Sequence, residues 1–168
     1  MIYAGIGTRK LSIKDRSRLI NIGRKLARKG MVLHTGAAVG ADQAFVEGAL
    51  QAGGKVVLFL PWASYERTWV ASLHGDVHIN ILNDTDFEAF SSVTKYHPKP
   101  KALSKGALRL HARNYNIIKD TDFVLAFRRH DKKGGTEQGI RIAKDNNIPV
   151  FFLDAGCIKY NDIMASIK

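Results

Sequence analysis

The amino-acid sequence predicts a three-layer α/β domain of Rossmann-like type, with a mostly parallel sheet of about five or more strands. Two observations favour this fold. Short apolar runs alternate with amphipathic segments over roughly the first sixty residues, at the spacing of βαβ units. The chain has 168 residues, of which 45% are hydrophobic, and this length suits one core. We therefore expect a single domain that spans residues 1–168.

The first βα unit has clear boundaries in the sequence. Ile2 to Ile6 is a short apolar run that continues into glycine-containing turn residues, as at the end of a buried strand. Ser12 with Asp15 three residues later resembles a capping box, and the apolar stripe that follows predicts a helix ending at Gly30. The helix packs one face on the sheet and exposes a face rich in arginine and lysine.

The second unit repeats this order. Met31 to Thr35 predicts a strand, and the small residues after it lead into a helix that Gly53 and Gly54 stop. Lys55 to Leu60 is a third apolar strand, closed by Pro61. Three successive strands with helical connections predict a parallel sheet.

The middle of the chain is less regular. Tyr65, Trp69 and Leu73 have helical spacing, residues 77–81 alternate as in a strand, and Tyr96 to Lys101 predicts a loop rich in proline and lysine. A clear pattern returns after this stretch. The predicted elements there are a helix ending near Ile118, a strand from Phe123 to Phe127, a loop from Lys132 to Thr136, a helix to about Asn146, a strand from Pro149 to Leu153, and a short helix at Ile163 and Ile167.

Composition limits the class of protein. Lysine and arginine number 26 against 15 aspartate and glutamate, a formal charge of +11 that allows non-specific contact with nucleic acid through a basic surface. No apolar run approaches the roughly 18 residues of a membrane span, and the N-terminus does not resemble a signal peptide. We expect a cytoplasmic protein without a membrane partner. The single cysteine, Cys157, cannot form an internal disulfide.

No metal or cofactor is expected from the sequence. His74 and His78 are four residues apart, but Gly75 and the strand-like residues that follow argue against a shared helical face for a metal pair. His34 and His111 lie nearer the presumed ligand pocket, where either side chain could contact a ligand.

Small-residue loops follow the predicted strands at positions where an open parallel sheet binds its ligands. The loops are Gly5 to Arg9, Thr35 to Asp42 and Gly134 to Thr136. Glycines let the backbone approach a ligand, and the free N–H groups at the start of the next helix favour a phosphate. Lys10 stands where the dinucleotide fingerprint GxGxxG needs its last glycine, and no GxxxxGK[ST] run occurs. The sequence therefore disfavours both a conventional NAD dehydrogenase and a P-loop ATPase.

Four segments together resemble one superfamily. These segments are GIGTR, HTGAAVGADQAFVEGAL, HARNYNII and GGTEQGIRIAKDNNIPVFFL. The combination is similar to the SLOG superfamily, which contains DNA-processing proteins of the Smf/DprA type, Lonely-guy phosphoribohydrolases and nucleotide-sensing domains. The loops and the resemblance together give the candidate ligand-binding residues, which are Gly7, Thr8, Arg9, Thr35, Gly36, Ala37, Gly40, Asp42, Arg113, Asn114, Gly134, Gly135, Thr136 and Glu137.

The first functional prediction is binding of a phosphorylated nucleotide or an ADP-ribose-like molecule at the carboxyl ends of the strands. The resemblance also implies an enzymatic alternative, cleavage of the N-glycosidic bond of a nucleoside monophosphate. Lonely-guy hydrolases carry a PGGxGTxxE pattern, and Gly139 stands where their glutamate would be. Glu137 is two residues away, about 200° around a helix. Asp42 and Glu137 are the candidate acid–base residues if the ligand lies differently.

The second alternative is DprA-like binding of single-stranded DNA. Its candidate phosphate contacts are cations, which are Lys95, Lys99, Lys101, Lys105, Arg128, Arg129, Lys132 and Lys133. Tyr96 and His97 are the aromatic residues within this run that could stack on bases. Related folds often pair subunits, so we also expect a homo-oligomer.

Overall fold

The computed structural model describes residues 1–154 and 158–166. Strands and helices alternate along this part of the chain. They are β1 (Ile2–Gly7), α1 (Ile13–Arg28), β2 (Val32–Thr35), α2 (Ala41–Gln51), β3 (Val56–Leu60), α3 (Arg67–Ala71), β4 (Val77–Ile81), α4 (Phe87–Tyr96), a 3₁₀ turn (Pro100–Ala102), α5 (Lys105–Ile118), β5 (Phe123–Phe127), α6 (Gly135–Asp145), β6 (Val150–Phe152) and α7 (Tyr160–Ser166). Cys157 and Ile167 lie outside the described residues.

The strands form one parallel sheet in the order β4-β3-β2-β1-β5-β6. The chain builds outward from β1 to β4 on one side and then returns to place β5 on the other side of β1. The order reverses between β1 and β5, which is a topological switch point. Gly7 at the end of β1 pairs with Phe127 at the end of β5. The predicted Rossmann-like, three-layer fold is confirmed.

Helices cover both faces of the sheet. One face packs on α1 and α2 through a core of large buried side chains, which include Tyr3, Leu19, Leu33, Phe45, Leu58 and Phe123. The other face packs on α5 and α6 through Ala4, Ile6, Phe59, Ile117, Ile118, Val124 and Ile140. α1 and α2 approach closely at Gly48. A Cβ atom at this position would lie 2.0 Å from the carbonyl oxygen of Ile20. Glycine at position 48 is therefore required by packing.

Local sequence signals account for the start of α1. Ser12 is its N-cap, and the Ser12 hydroxyl oxygen accepts a hydrogen bond from the Asp15 backbone N–H at 3.0 Å. The same hydroxyl donates to the Asp15 carboxylate at 2.6 Å. The predicted cap is present, although Asp15 contacts the Ser12 hydroxyl and not its backbone N–H.

The middle of the chain differs from the prediction at α4. Tyr96, predicted in a loop, is the last residue of α4, a helix that the sequence did not reveal. The inner residues of α4 are Ala89, Ser92 and Val93, too small and polar to give a clear apolar stripe. β4 forms at residues 77–81 as predicted, but only at the edge of the sheet, and most of its residues are exposed. None of the described helices is long and apolar enough to cross a bilayer.

Candidate functional site

A cavity of about 480 Å³ lies beside the ends of β1 and β5, at the topological switch point. Its wall combines the loop after β1, the start of α2, one face of α5, the loop after β5 and the first turns of α6. The lining residues are Ile6, Gly7, Thr8, Arg9, Lys10, Ala38, Asp42, Leu110, His111, Arg113, Asn114, Ile117, Ile118, Arg129, Lys133, Gly134, Gly135, Thr136 and Gly139. The volume falls in the range of small-molecule sites.

The N-terminus of α6 faces this cavity. Gly134 precedes the helix at φ +92°, a conformation that favours glycine, and no side chain caps the helix. Within the described part of the chain, the backbone N–H groups of Gly135, Thr136 and Glu137 have no hydrogen-bond acceptor. These free N–H groups and the positive end of the helix dipole favour an anion in the cavity.

The loop between β2 and α2 is held by two buried charged side chains. Arg113 donates from Nη1 to the carbonyl oxygens of Gly36 and Phe59, the latter at 2.8 Å. Asp42 accepts from the Ala38 N–H at 3.2 Å. A Cβ atom at Gly36 would lie 2.5 Å from Nη1 of Arg113, so this close approach requires glycine. The two side chains fix the loop that forms one side of the cavity.

Burial shifts the pKa values of Asp42 and Arg113. It raises the pKa of Asp42 to about 6, although the positive charge of Arg113 and hydrogen bonds from the Ala38 and Gly36 backbone lower this pKa. Burial also lowers the pKa of Arg113, while the Asp42 carboxylate raises it. Asp42 is thus a cavity-lining carboxyl that changes charge within about one pH unit of neutrality.

Arg113, a predicted ligand-binding residue, is buried and lines the cavity. Only 5% of it is exposed, and the Tyr65 ring lies 5.5 Å from its guanidinium carbon. Its Nε atom is buried and has no hydrogen-bond partner among the described residues. Arg113 therefore shapes the loop through Nη1 and still has donor capacity left for a ligand.

Four cations surround the entrance of the cavity. Arg9, Lys10, Arg129 and Lys133 line it and are exposed to solvent. Arg129 also donates to Asp131 at 2.8 Å, an exposed pair that leaves its charge only partly compensated. The entrance is therefore positively charged and attracts anionic ligands.

Five of the candidate ligand residues do not line the cavity. The Thr35 hydroxyl donates to the Gly5 carbonyl oxygen at 2.6 Å. The others are Gly36, Ala37, Gly40 and Glu137. Ala37 and Gly40 adopt φ angles of +66° and +99°. Thr35, Gly36, Ala37 and Gly40 belong to the loop whose Ala38 lines the cavity, so they shape the cavity without lining it.

The two candidate catalytic carboxylates have different surroundings. Asp42 lines the cavity, whereas Glu137 does not, and Oε1 of Glu137 is buried without a partner among the described residues. Gly139 lines the cavity, and a Cβ atom there would lie 2.9 Å from Cδ1 of Ile6. A glutamate at position 139 would require Ile6 to move. The cavity therefore lacks the carboxylate of the Lonely-guy pattern.

One face of α5 contributes lining residues that the sequence interpretation did not include. Leu110 and Ile117 stand three or four positions from the predicted pair Arg113 and Asn114. This helical spacing was the available signal, because residues at i+3 and i+4 share a face. His111 lines the same cavity. His34 instead lines a separate cavity of about 380 Å³ on the far side of α5, together with Asn80 and Asn116.

The candidate DNA contacts do not form one free surface. Arg128 makes a two-point ion pair with Asp154, with Nη2 3.0 Å from Oδ2, and its guanidinium lies 4.2 Å from the Phe152 ring centre. Lys95 is paired with Asp145. The Arg128 pair is largely buried and serves the fold, whereas the pair of Lys95 and Asp145 is exposed and leaves the lysine accessible. The exposed candidates are Lys95, Lys99, Lys101, Lys105, Arg129, Lys132 and Lys133.

The predicted stacking residues are also engaged. The Tyr96 hydroxyl donates to Asp145 at 2.5 Å, and the His97 ring lies 4.5 Å from the His111 ring. The Tyr96 ring packs against the core, with Nζ of Lys95 4.9 Å from its centre, so both rings already have neighbours. Among the residues described, no group of three His, Cys, Asp or Glu side chains is close enough together to hold a metal ion.

The fold and the cavity define a Rossmann-like protein of the SLOG type, with its glycine-rich loops gathered at the switch point. The profile of the DNA recombination-mediator protein A family matches residues 1–162. The chain belongs to this family. No curated protein matches the chain.

Solved structures with the same fold include DNA processing proteins and molybdenum cofactor binding proteins. DNA processing protein A from Helicobacter pylori superposes with a TM-score of 0.72 at 20% identity, covering 99% of this chain and 80% of that one. The Streptococcus pneumoniae DprA gives 0.63 at 18%, covering 98% of this chain and 56% of that one. The molybdenum cofactor binding protein from Rippkaea orientalis gives 0.61 at 22%, covering 99% and 83%. At these identities the likeness concerns the fold.

Proposed function

We propose that this protein binds a phosphorylated, nucleotide-like molecule in the cavity at the switch point, with a phosphate at the N-terminus of α6. The observation that carries the proposal is the set of unpaired N–H groups at the start of α6, from Gly135 to Glu137, of which Gly135 and Thr136 line a cavity of about 480 Å³. Such N–H groups bind anions well when a helix dipole supports them.

Two further features support an anionic ligand. Arg113 lines the cavity although only 5% of it is exposed, and its Nη2 atom makes no hydrogen bond with a described residue, so it can donate to an anion. Arg9, Lys10 and Lys133 add positive charge at the entrance. The absence of a carboxylate side chain at Gly139 favours binding over Lonely-guy-type hydrolysis.

Calorimetric titration with inorganic phosphate and with adenosine 5′-monophosphate (AMP) tests the proposal. The double variant Arg9→Gln/Lys133→Gln removes two charges at the entrance, and we expect about tenfold weaker binding of either anion. The matched control Arg28→Gln/Lys29→Gln removes two exposed charges at the C-terminal end of α1, neither of which lines the cavity, and leaves the affinity unchanged. Absence of binding by the native protein, or equal losses in both variants, would contradict the proposal.

Single-stranded DNA is a second candidate, favoured by membership of the DNA recombination-mediator protein A family and by the +11 charge. The Helicobacter pylori relative is described as binding single-stranded DNA. A DNA backbone would supply the same phosphate chemistry to the α6 N-terminus and the exposed cations around the entrance.

The two candidates differ in salt dependence and in competition. Binding of a labelled oligonucleotide through several phosphates weakens steeply as salt rises, with a slope of about −0.7 per phosphate in a log–log plot for single strands. If the oligonucleotide occupies the cavity, AMP competes with it. Oligonucleotide affinity that is undetectable at low salt would remove the DNA candidate and leave the small-molecule proposal standing.

A further inference from the structure

A chain of hydrogen bonds joins α5 to α6 in the wall of the cavity. Oε1 of Gln138 lies 2.7 Å from Nδ1 of His111 and 3.0 Å from Nδ2 of Asn114. Nδ2 of Asn114 also lies 3.4 Å from the carbonyl oxygen of Gly135, beside the α6 N-terminus. Gln138 is fully buried, which holds the chain in place.

The donor and the acceptor of each bond follow from the carbonyl oxygen of Gly135, which is the one atom with a fixed role. A backbone carbonyl oxygen can only accept, so the amide nitrogen of Asn114 must point toward Gly135. Asn114 then donates to Oε1 of Gln138, an orientation that leaves the buried Nε2 of Gln138 without a partner among the described residues. His111 must therefore donate from Nδ1 to the same oxygen. The proton of the neutral imidazole is on Nδ1, and Nε2 carries a lone pair.

Two acceptor atoms of this wall remain free. Nε2 of His111 and Oδ1 of Asn114 have no hydrogen-bond partner among the described residues, and neither atom is fully buried. Both residues line the cavity. Burial lowers the pKa of His111, and the hydrogen bond to Gln138 offsets this only in part. The ring is therefore neutral near pH 7.

We propose that this wall binds the uncharged, hydrogen-bond-donating part of the ligand, its hydroxyl or amino groups, through Nε2 of His111 and Oδ1 of Asn114. The proposal rests on the proposed function, in which the phosphate occupies the α6 N-terminus. Two lone pairs repel a second anionic group and pair with donors. A nucleoside monophosphate fits this arrangement, because it has one anionic end and a donor-bearing sugar and base, whereas a molecule with anionic groups at both ends does not.

The proton position on His111 is measurable without any ligand. Nitrogen-15 NMR of the imidazole ring distinguishes a proton on Nδ1 from one on Nε2. In the native protein we expect the Nδ1–H form for His111, and in Gln138→Met we expect this preference to be lost. An Nε2–H form in the native protein would overturn the proposal even if phosphate binds.

Ligand selection is tested by the variant His111→Phe, which keeps a ring but removes the acceptor. We expect about tenfold weaker binding of AMP and unchanged binding of inorganic phosphate. His111→Gln, which restores an acceptor, recovers part of the loss. The control variant His74→Phe replaces an exposed histidine before β4 and changes neither affinity. Parallel losses for phosphate and AMP, or no loss for either, would refute selection by His111.

Three related ligands identify the donor. If Nε2 of His111 accepts a hydrogen bond from a sugar hydroxyl, His111→Phe weakens the binding of AMP but not that of its 2′,3′-dideoxy analogue. If Nε2 accepts from the base amino group, the variant weakens binding of both of these but not of purine riboside 5′-monophosphate, whose base has no hydrogen-bond donor. An equal effect on all three ligands would contradict recognition of a donor. Failure of the native protein to bind phosphate at all would instead remove the proposed function.

Discussion

Replacement of Asp42 by asparagine tests the electrostatics of the cavity through the pH dependence of stability. Burial raises the pKa of Asp42 from its ordinary value of 3.8 to about 6, although Arg113 opposes this. Between these values the folded protein holds a proton that the unfolded chain has released. The free energy of unfolding therefore falls as pH rises through this window. The contribution of Asp42 is fully present below the ordinary pKa and is lost above about pH 6.

The size of the effect follows from the shift. Each pKa unit corresponds to 1.36 kcal/mol, so the raised pKa of Asp42 is worth about 3 kcal/mol over the whole window. Asparagine has nearly the same shape and does not titrate. Loss of the Asp42 charge also leaves Arg113 without its carboxylate, but this cost does not vary with pH because arginine stays protonated.

Urea unfolding of the native protein and of Asp42→Asn between about pH 4 and pH 7 measures the difference. We expect the native protein to lose up to about 3 kcal/mol relative to the variant as pH rises. Asp76→Asn is the control, because the Asp76 side chain is exposed and makes no hydrogen bond with a described residue. A difference that is flat, or that grows in favour of the native protein as pH rises, would refute the burial argument.

Three other outcomes follow from the structure. Gly48→Ala forces α1 and α2 apart and lowers the free energy of unfolding by at least about 2 kcal/mol. Gly106→Ala has open space around its Cβ position and raises the free energy of unfolding by about 0.5–1 kcal/mol, and thermal or urea unfolding measures both changes. Arg128→Gln breaks the pair with Asp154 and costs about 1 kcal/mol without changing phosphate affinity in calorimetry. Phosphate bound near Asp42 raises its pKa further, so affinity falls as pH rises through about 6, and calorimetry in two buffers detects the proton uptake.

The sequence predicted the elements whose apolar pattern is set by the sheet. β5 occupies Phe123–Phe127 as predicted, because both of its faces are covered and the apolar run is continuous. β4 was found from its alternation, but the exposure of Ile79 and Ile81, at 44% and 46%, could not be foreseen. Periodicity indicates a strand and does not show whether a neighbouring layer covers it. α4 was missed because it packs largely on α5, through small residues.

The candidate site was predictable at its glycines and less so at its charged residues. Gly7, Gly134 and Gly135 line the cavity because parallel strands end together, which the βα pattern already implies. Arg113 looked like a free donor, but its place on α5 puts it beneath the Gly36 loop, a long-range contact that local sequence does not encode. The chain of hydrogen bonds from Asn114 through Gln138 to His111 likewise depends on the packing of two helices, α5 and α6, that are far apart in sequence.

The central claim is that the α6 N-terminus binds a phosphate, and an amide NMR titration with inorganic phosphate and AMP tests it directly. The account predicts that the backbone N–H signals of Gly135, Thr136 and Glu137 shift most with both anions, and that the His111 ring signals shift with AMP alone. Saturable binding that leaves the α6 amide signals in place and moves signals on another surface would contradict the account.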